Sequence, residues 1–348
     1  MTTTNQPGTE LPQAAATVAP AKVNATLVVG PTREADGRHE LVSVMQSVTL
    51  HDDVAIRPRR DGDERPPQSG ASEEVDPELL CVLPAGTPTE PAAGVVEDPS
   101  GDLVRCPGVS GDNLALTALR RFRAATGWDA GPLTIEIAKR IPVAAGMAGG
   151  SADAGAVLRL AAHLSGRGDA ALLQELAAGL GADVPHQLQP GLALATGAGE
   201  RLVRSTGILP GAALVLPSSA QLSTAAVYRR SDELASPRTA AALAGWEDRV
   251  AIALGGPAPP SLPDALCVND LEAAALDLCP SIADALDRLR GVGAQRTMVC
   301  GSGPTTIGWF ASADAAGAAA AALGEESGAI VAVPTGGAAV SSVLELPA

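Results

Sequence analysis

Three glycines, Gly146, Gly149 and Gly150, stand between a run that alternates like a strand and a run that repeats like a helix. That junction constrains the chain more than any other feature. Leu133, Ile135 and Ile137 alternate with Thr134 and Glu136, the period of a half-buried strand. Val157, Leu160, Ala161 and Leu164 share one face at helical spacing. Between them lies PVAAGMAGGSA, from Pro142 to Ala152, with a hydroxyl at Ser151. A glycine-rich turn opening a helix lets backbone N–H groups converge on an anion, with the positive end of the helix dipole behind them. The ligand it suits is a phosphate; the alternative is a turn that binds nothing. Two familiar phosphate loops are excluded. No lysine follows Gly150, as GxxxxGK[ST] requires, and Met147 and Ala148 separate Gly146 from Gly149, against GxGxxG.

Charge narrows the partners. Lys+Arg number 24 against Asp+Glu 39, a net charge of -15 over 348 residues, which argues against nucleic acid or an anionic membrane. A bound phosphate must then be held by local geometry. Among the basic residues only Lys22 and Lys139 are lysines, two exceptions that stand out in an arginine-rich chain. The five cysteines have no CxxC pairing, as expected of a reducing cytoplasm. No basic n-region of a signal peptide precedes Lys22, and the longest uncharged run, Ser205 to Tyr228, is broken by two prolines and polar residues, so no membrane span is expected.

Residues 1–19 read as a disordered tail. In the strand from Ala21 to Gly30, Lys22 and Asn24 point the same way. A turn at Asp36–Gly37 carries Arg38 and His39 into a strand from Leu41 to Leu50. Residues 57–110, rich in Pro, Gly, Asp and Glu, read as an elaborated acidic insertion. A helix capped by Asp112 follows, with Leu114, Ala118, Leu119, Phe122 and Ala125 buried. A short helix from Leu172 to Leu180 closes at Gly181, leaving Asp183 just past its end with Pro185 fixing the turn. Beyond residue 204 come mixed helices and strands, the last strand being IVAVPT; the class is α+β.

Six stretches in this order, AKVN, DGRHEL, PVAAGMAGGSADAG, GADVP, NDLE and GSGPT, resemble the 4-diphosphocytidyl-2-C-methyl-D-erythritol kinases. These belong to the GHMP superfamily of galacto-, homoserine, mevalonate and phosphomevalonate kinases. The resemblance implies a two-domain GHMP kinase fold: an ATP-binding domain over residues 20–204, like ribosomal protein S5, and a ferredoxin-like α/β sandwich over 205–348. It implies ATP and Mg²⁺ as cofactors, with the metal ligands and the oligomeric state left open, and a place in non-mevalonate isoprenoid synthesis. Lys22 and Asp183 match the catalytic lysine and aspartate. Asn24 and His39 match contacts to the cytidine-bearing substrate. Lys139 matches a residue close to the nucleotide, and Pro142, Val143, Ala144, Ala145, Gly146, Met147, Ala148, Gly149, Gly150, Ser151 and Ala152 the ATP phosphate loop. The chain departs from the family at Arg38, His186 and Gln187, where aromatics usually hold the cytosine. Either Arg38 and His186 rebuild that sandwich with cationic planes, or a related kinase takes another alcohol; a non-catalytic nucleotide-binding homologue is the third reading. Ala144 and Ala145 replace usual glycines, and positive φ at either would strain the loop.

Overall fold

The computed structural model describes residues 13–64, 93–107, 112–143, 145–235, 237–256 and 259–346. Two long antiparallel strands, β1 (Ala14–Thr32) and β2 (His39–Pro58), organise it. Around them β3 (Ala93–Glu97), β4 (Leu103–Pro107), β5 (Leu133–Ala138), β6 (Leu192–Thr196), β7 (Arg201–Ser205) and β12 (Leu344–Leu346) complete an eight-stranded sheet of order β12-β1-β2-β5-β4-β3, with β6 on β2 and β7 on β6. β2 serves two partners by its length: Ser43 to Gln46 pair with β6, and Asp53 to Pro58 with β5. Helices α1 (Leu114–Thr126), α2 (Gly149–Ser165), α3 (Ala170–Leu180) and α4 (Val184–Gln187) belong to this half. α2 is made mostly of alanine, glycine and leucine, and small side chains let it sink against the sheet until 11 of its 17 residues are buried.

The second sheet holds β8 (Ala212–Leu216), β9 (Arg296–Val299), β10 (Thr306–Phe310) and β11 (Ile330–Ala332) in antiparallel order β11-β8-β10-β9. Counted within the sheet, that order is the fourth, first, third and second strands, the ferredoxin-like arrangement. α5 (Thr224–Leu234), α6 (Ala240–Gly255), α7 (Glu272–Leu278), α8 (Ser281–Gly291), α9 (Ala313–Leu323) and α10 (Gly337–Val340) accompany it. Leu289 of α8 and Ala316 and Ala319 of α9 pack with Leu214 and Phe310. A larger core, with Val23, Val44, Leu158, Val215 and Trp309, is continuous across both sheets.

Several expectations are corrected. Residues 14–19 are buried strand and no tail, because Ala14 to Ala16 pair with β12 and Ala15 to Ala19 with β2; residues 1–12 lie outside the described residues. IVAVPT is therefore not the last strand. Of the expected insertion, Arg57 belongs to β2 and Ala93 to Pro107 form a hairpin, while 65–92 lie outside the described residues. α1 is capped by Asn113, whose side chain accepts the Ala115 N–H, and not by Asp112. Its buried stripe takes Ala115 and Leu116 where Ala125, which is exposed, had been expected.

Candidate active site

A cleft of about 920 Å³ opens between the sheets, and Lys22 and Asn24 of β1 form part of its floor. Register shifts between Pro20 and Lys22 and between Asn24 and Thr26 put a bulge on either side of the pair, re-aiming two side chains that a regular strand would hold flat. Lys22 Nζ donates to Asn24 Oδ1 at 2.6 Å and to Gly146 O at 3.2 Å. Asn24 is itself oriented: its amide donates to Ser43 Oγ, which donates to Thr26 O, so the carbonyl must face Lys22. Asp183 Oδ2 lies 3.8 Å from the same ammonium, with its side chain 31% exposed against 5% for the lysine. The carboxylate reaches the cleft because α3 ends at Leu180 and the Val184 N–H turns back to Gly181 O.

The glycine segment forms the facing wall. α2 opens without a side-chain cap, and its first bond runs from Ala152 N–H to Ala148 O at 2.8 Å. The N–H groups of Gly149, Gly150 and Ser151 thus lie ahead of the helical ladder, unsatisfied within it, at the positive end of a 17-residue helix. Ala148 precedes them at φ 60, the single non-glycine residue with positive φ among those described. The strain expected at Ala144 or Ala145 falls here instead: Ala145 has no positive φ, and Ala144 lies outside the described residues. Such strain costs about 1–2 kcal/mol and persists where the surroundings impose it. Pro142, Val143, Ala145, Gly146, Ala148, Gly149, Gly150 and Ser151 line the cleft. The side chains of Met147 and Ala152 do not; both are buried in the core.

A loop of the second sheet closes against this wall. A Cβ on Gly146 would overlap the Cys300 carbonyl oxygen, and one on Gly301 would lie 2.9 Å from Gly146 O. Asn269 holds the loop by donating to Val299 O and Gly301 O at 2.9 and 2.8 Å, while the Val299 N–H donates to Glu272. NDLE and GSGPT are thus two halves of one clamp.

At the other end stand Arg38, with its side chain 52% exposed, and His39, whose Nδ1 donates to Gly30 O at 2.9 Å and whose Nε2 lies 3.2 Å from Asp232. Tyr228 of α5 stacks on His39, ring centroids 5.4 Å apart and planes 25° from parallel. Burial, with the Asp183 charge adding to it, pushes the Tyr228 phenol up to about 12 and keeps it neutral. Sequence reasoning missed Tyr228. Its signal was available, as the sole tyrosine in a chain with 2% aromatics.

His186 is a correction. It is fully buried, faces Ser47 Oγ at 3.1 Å, and lines no part of the cleft, so it cannot stack on a ligand there; Gln187 is buried too. Burial, and then the charges of Arg204 and Lys22, lower the imidazole to about 3. Below its ordinary value of about 6.5 the unfolded chain binds a proton that the folded chain refuses. Stability should therefore fall by up to ~1.4 kcal/mol per pH unit as pH drops from about 6.5 toward about 3. Urea midpoints between pH 5 and 7 should vary less in His186→Gln; equal slopes in variant and parent would refute this account.

Lys139 is buried beneath the loop against Asp52 and Asp153. No group of three or more His, Cys, Asp or Glu side chains among the described residues is placed to hold a metal. Nor is any described helix long and apolar enough to cross a membrane.

This is the architecture of a GHMP kinase: the GHMP kinases N terminal domain matches residues 113–191 and the GHMP kinases C terminal domain residues 261–329. A 4-diphosphocytidyl-2-C-methyl-D-erythritol kinase of Corynebacterium jeikeium is 37% identical over 329 residues, covering 88% of this chain and 87% of that one. One from Nocardioides sp. is 39% identical over 312 residues, covering 88% and 91%. A crystal structure of 4-(cytidine 5'-diphospho)-2C-methyl-D-erythritol kinase superposes with a TM-score of 0.63 at 30% identity, over 92% of this chain and all of the other. The chain belongs to the 4-diphosphocytidyl-2-C-methyl-D-erythritol kinase family.

Proposed function

We infer that this chain transfers the γ-phosphoryl group of ATP to the 2-hydroxyl of 4-diphosphocytidyl-2-C-methyl-D-erythritol, a step of non-mevalonate isoprenoid precursor synthesis. The observation that carries the reading is one cleft in which a carboxylate–ammonium pair, Asp183 and Lys22, faces an uncapped helix N-terminus. The N–H groups of Gly149, Gly150 and Ser151 hold phosphate oxygens there without needing net positive charge. The acceptor hydroxyl sits between Asp183 and Lys22. As its oxygen bonds to the γ-phosphorus and the bond to the β–γ bridging oxygen breaks, its proton passes to Asp183 and ADP leaves. Lys22, aimed by Asn24 and Gly146, stabilises charge on the attacking oxygen. Mg²⁺, when bound, would neutralise phosphate charge; among the described residues no group of three or more His, Cys, Asp or Glu side chains is placed to hold it.

Arg38, His39, Asn24 and Tyr228 form the acceptor end. Tyr228 offers a ring and Arg38 an exposed guanidinium plane, which supports cytosine recognition despite the loss of His186 from the cleft. A cytoplasmic location accords with the free thiols of Cys267, Cys279 and Cys300 among the described residues. The test is ATP consumption with the cytidylyl methylerythritol, mevalonate, homoserine and galactose. Turnover is expected with the first. Turnover with another alone would assign a different acceptor, and ATP binding without turnover on any would make the chain a non-catalytic homologue.

A further inference from the structure

Under the phosphate-facing end of α2 the fold buries one ammonium between two carboxylates. Lys139 Nζ is 2.5 Å from Asp52 Oδ2 and 3.0 Å from Asp153 Oδ2, and all three residues are at most 6% exposed. The two carboxyl groups are not equivalent. Asp52 also accepts the N–H groups of Arg140 and Ile141, at 2.6 and 2.8 Å, so three donors fill an anion's acceptor sites. Asp153 accepts from the lysine, its other close polar neighbour being the Asp52 carboxylate, and its Oδ1 is buried with no hydrogen-bond partner among the described residues. Lys139 is the cation paired with Asp153 among the described residues, and it is shared with Asp52. Arg140 is taken by Asp53 at 2.5 Å, and Cys106 of β4, pushed up to about 12 chiefly by burial, stays a neutral thiol. The cluster's position gives this imbalance a consequence: a Cβ on Gly149 would lie 3.2 Å from Lys139 Nζ, so the charges sit directly under the first turn of α2.

We propose that Asp153 is a positioning residue for ATP whose protonation is coupled to binding: the phosphates settle on the form in which Asp153 is neutral, and ATP carries a proton onto this carboxyl. The proposal rests on the reading of the cleft as an ATP site. With both carboxylates ionised the cluster carries one net negative charge beneath an anion cradle, in surroundings that screen it poorly. With Asp153 neutral, Lys139 and Asp52 cancel and the helix N-terminus faces the phosphates unopposed. The carboxyl already leans that way. Burial and then the charge of Asp52 push it up to about 8, against the pull of Lys139, and an arriving phosphate pushes in the same direction. The sign follows: ATP affinity is insensitive to Asp153 at pH well below 8 and falls above it, by up to about tenfold per pH unit.

The test is calorimetry of ATP binding to the full chain with Mg²⁺ and no acceptor, at about pH 8.5, in two buffers of different ionisation enthalpy. The parent protein should take up a substantial fraction of one proton, and its Kd should rise between about pH 8 and 9.5. Asp153→Asn should bind ATP with no uptake and a flat profile, which a merely structural role would not produce. ATP binding to the parent without proton uptake, or uptake that survives in Asp153→Asn, would overturn the proposal. Absence of ATP binding at every pH would remove the ATP reading itself. Should the variant not fold, infrared spectra of the parent labelled with ¹³C at aspartate carboxyls decide: a protonated-carboxyl band that grows on adding ATP at pH 8.5 is required, and its absence refutes the coupling.

Discussion

Asp183→Asn should lower kcat by about 10²-fold or more, roughly 2.7 kcal/mol of transition-state stabilisation, while ATP still binds. The amide keeps the volume of the carboxylate and can still contact Lys22 through its carbonyl, so the turn that displays it should stand. What disappears is the acceptor for the hydroxyl proton. Asp183 suits that task because it is 31% exposed at the cleft and holds Lys22 at 3.8 Å, looser than a closed ion pair, which leaves both groups room for an incoming hydroxyl. Lys22 is the opposite, buried and pinned by Asn24 and Gly146, so its charge is aimed before substrate arrives. Steady-state kinetics with ATP and the cytidylyl acceptor, together with an ATP titration, separate the steps. An Asp183→Asn enzyme with near-parental kcat would strip this residue of the base role, and loss of ATP binding would show that the substitution had disturbed the opposite wall instead.

What could be read from residues alone was what local periodicity encodes. Period two puts Lys22 and Asn24 on one face of β1, and they hydrogen-bond as that placement requires. The strand, glycine turn and helix from Leu133 to Ser165 follow from the spacing of apolar residues and from glycine's freedom. Contacts between distant segments were not encoded that way. Tyr228 meets His39 from α5, far along the chain, and Asp52, Lys139 and Asp153 converge from three separate segments. His186 failed for a geometric reason. It lies three residues beyond Asp183, but α4 is a single turn whose side chains point into the protein, where Ser47 waits, while Asp183 sits at its start facing the cleft. The ends of β1 were misjudged because a run of alanine, threonine and proline looks like tail until the partner strands β2 and β12 are known.

Gly146→Ala should be among the most damaging single-methyl changes at the described glycines, and for a reason other than phosphate binding. Gly146 has φ 71, where alanine costs about 1–2 kcal/mol. Its Cβ would overlap the Cys300 carbonyl, a backbone atom with no rotamer to move, which adds roughly 1–3 kcal/mol as the loops part. Parting them has a chemical effect as well, since Gly146 O is one of the two acceptors that aim Lys22 and the Cys300–Gly301 segment is held by Asn269. The expected result is a fall in Tm of more than about 5 °C with a kcat at least about tenfold lower. Gly150→Ala is the control for stability: Gly150 has no positive φ, and a Cβ there would meet open space, so its Tm should match the parent. If Gly146→Ala kept the parental Tm and kcat, the close approach of the two loops would not be what holds Lys22 in place. The glycine that first suggested a phosphate cradle would then owe its presence to the ligand after all.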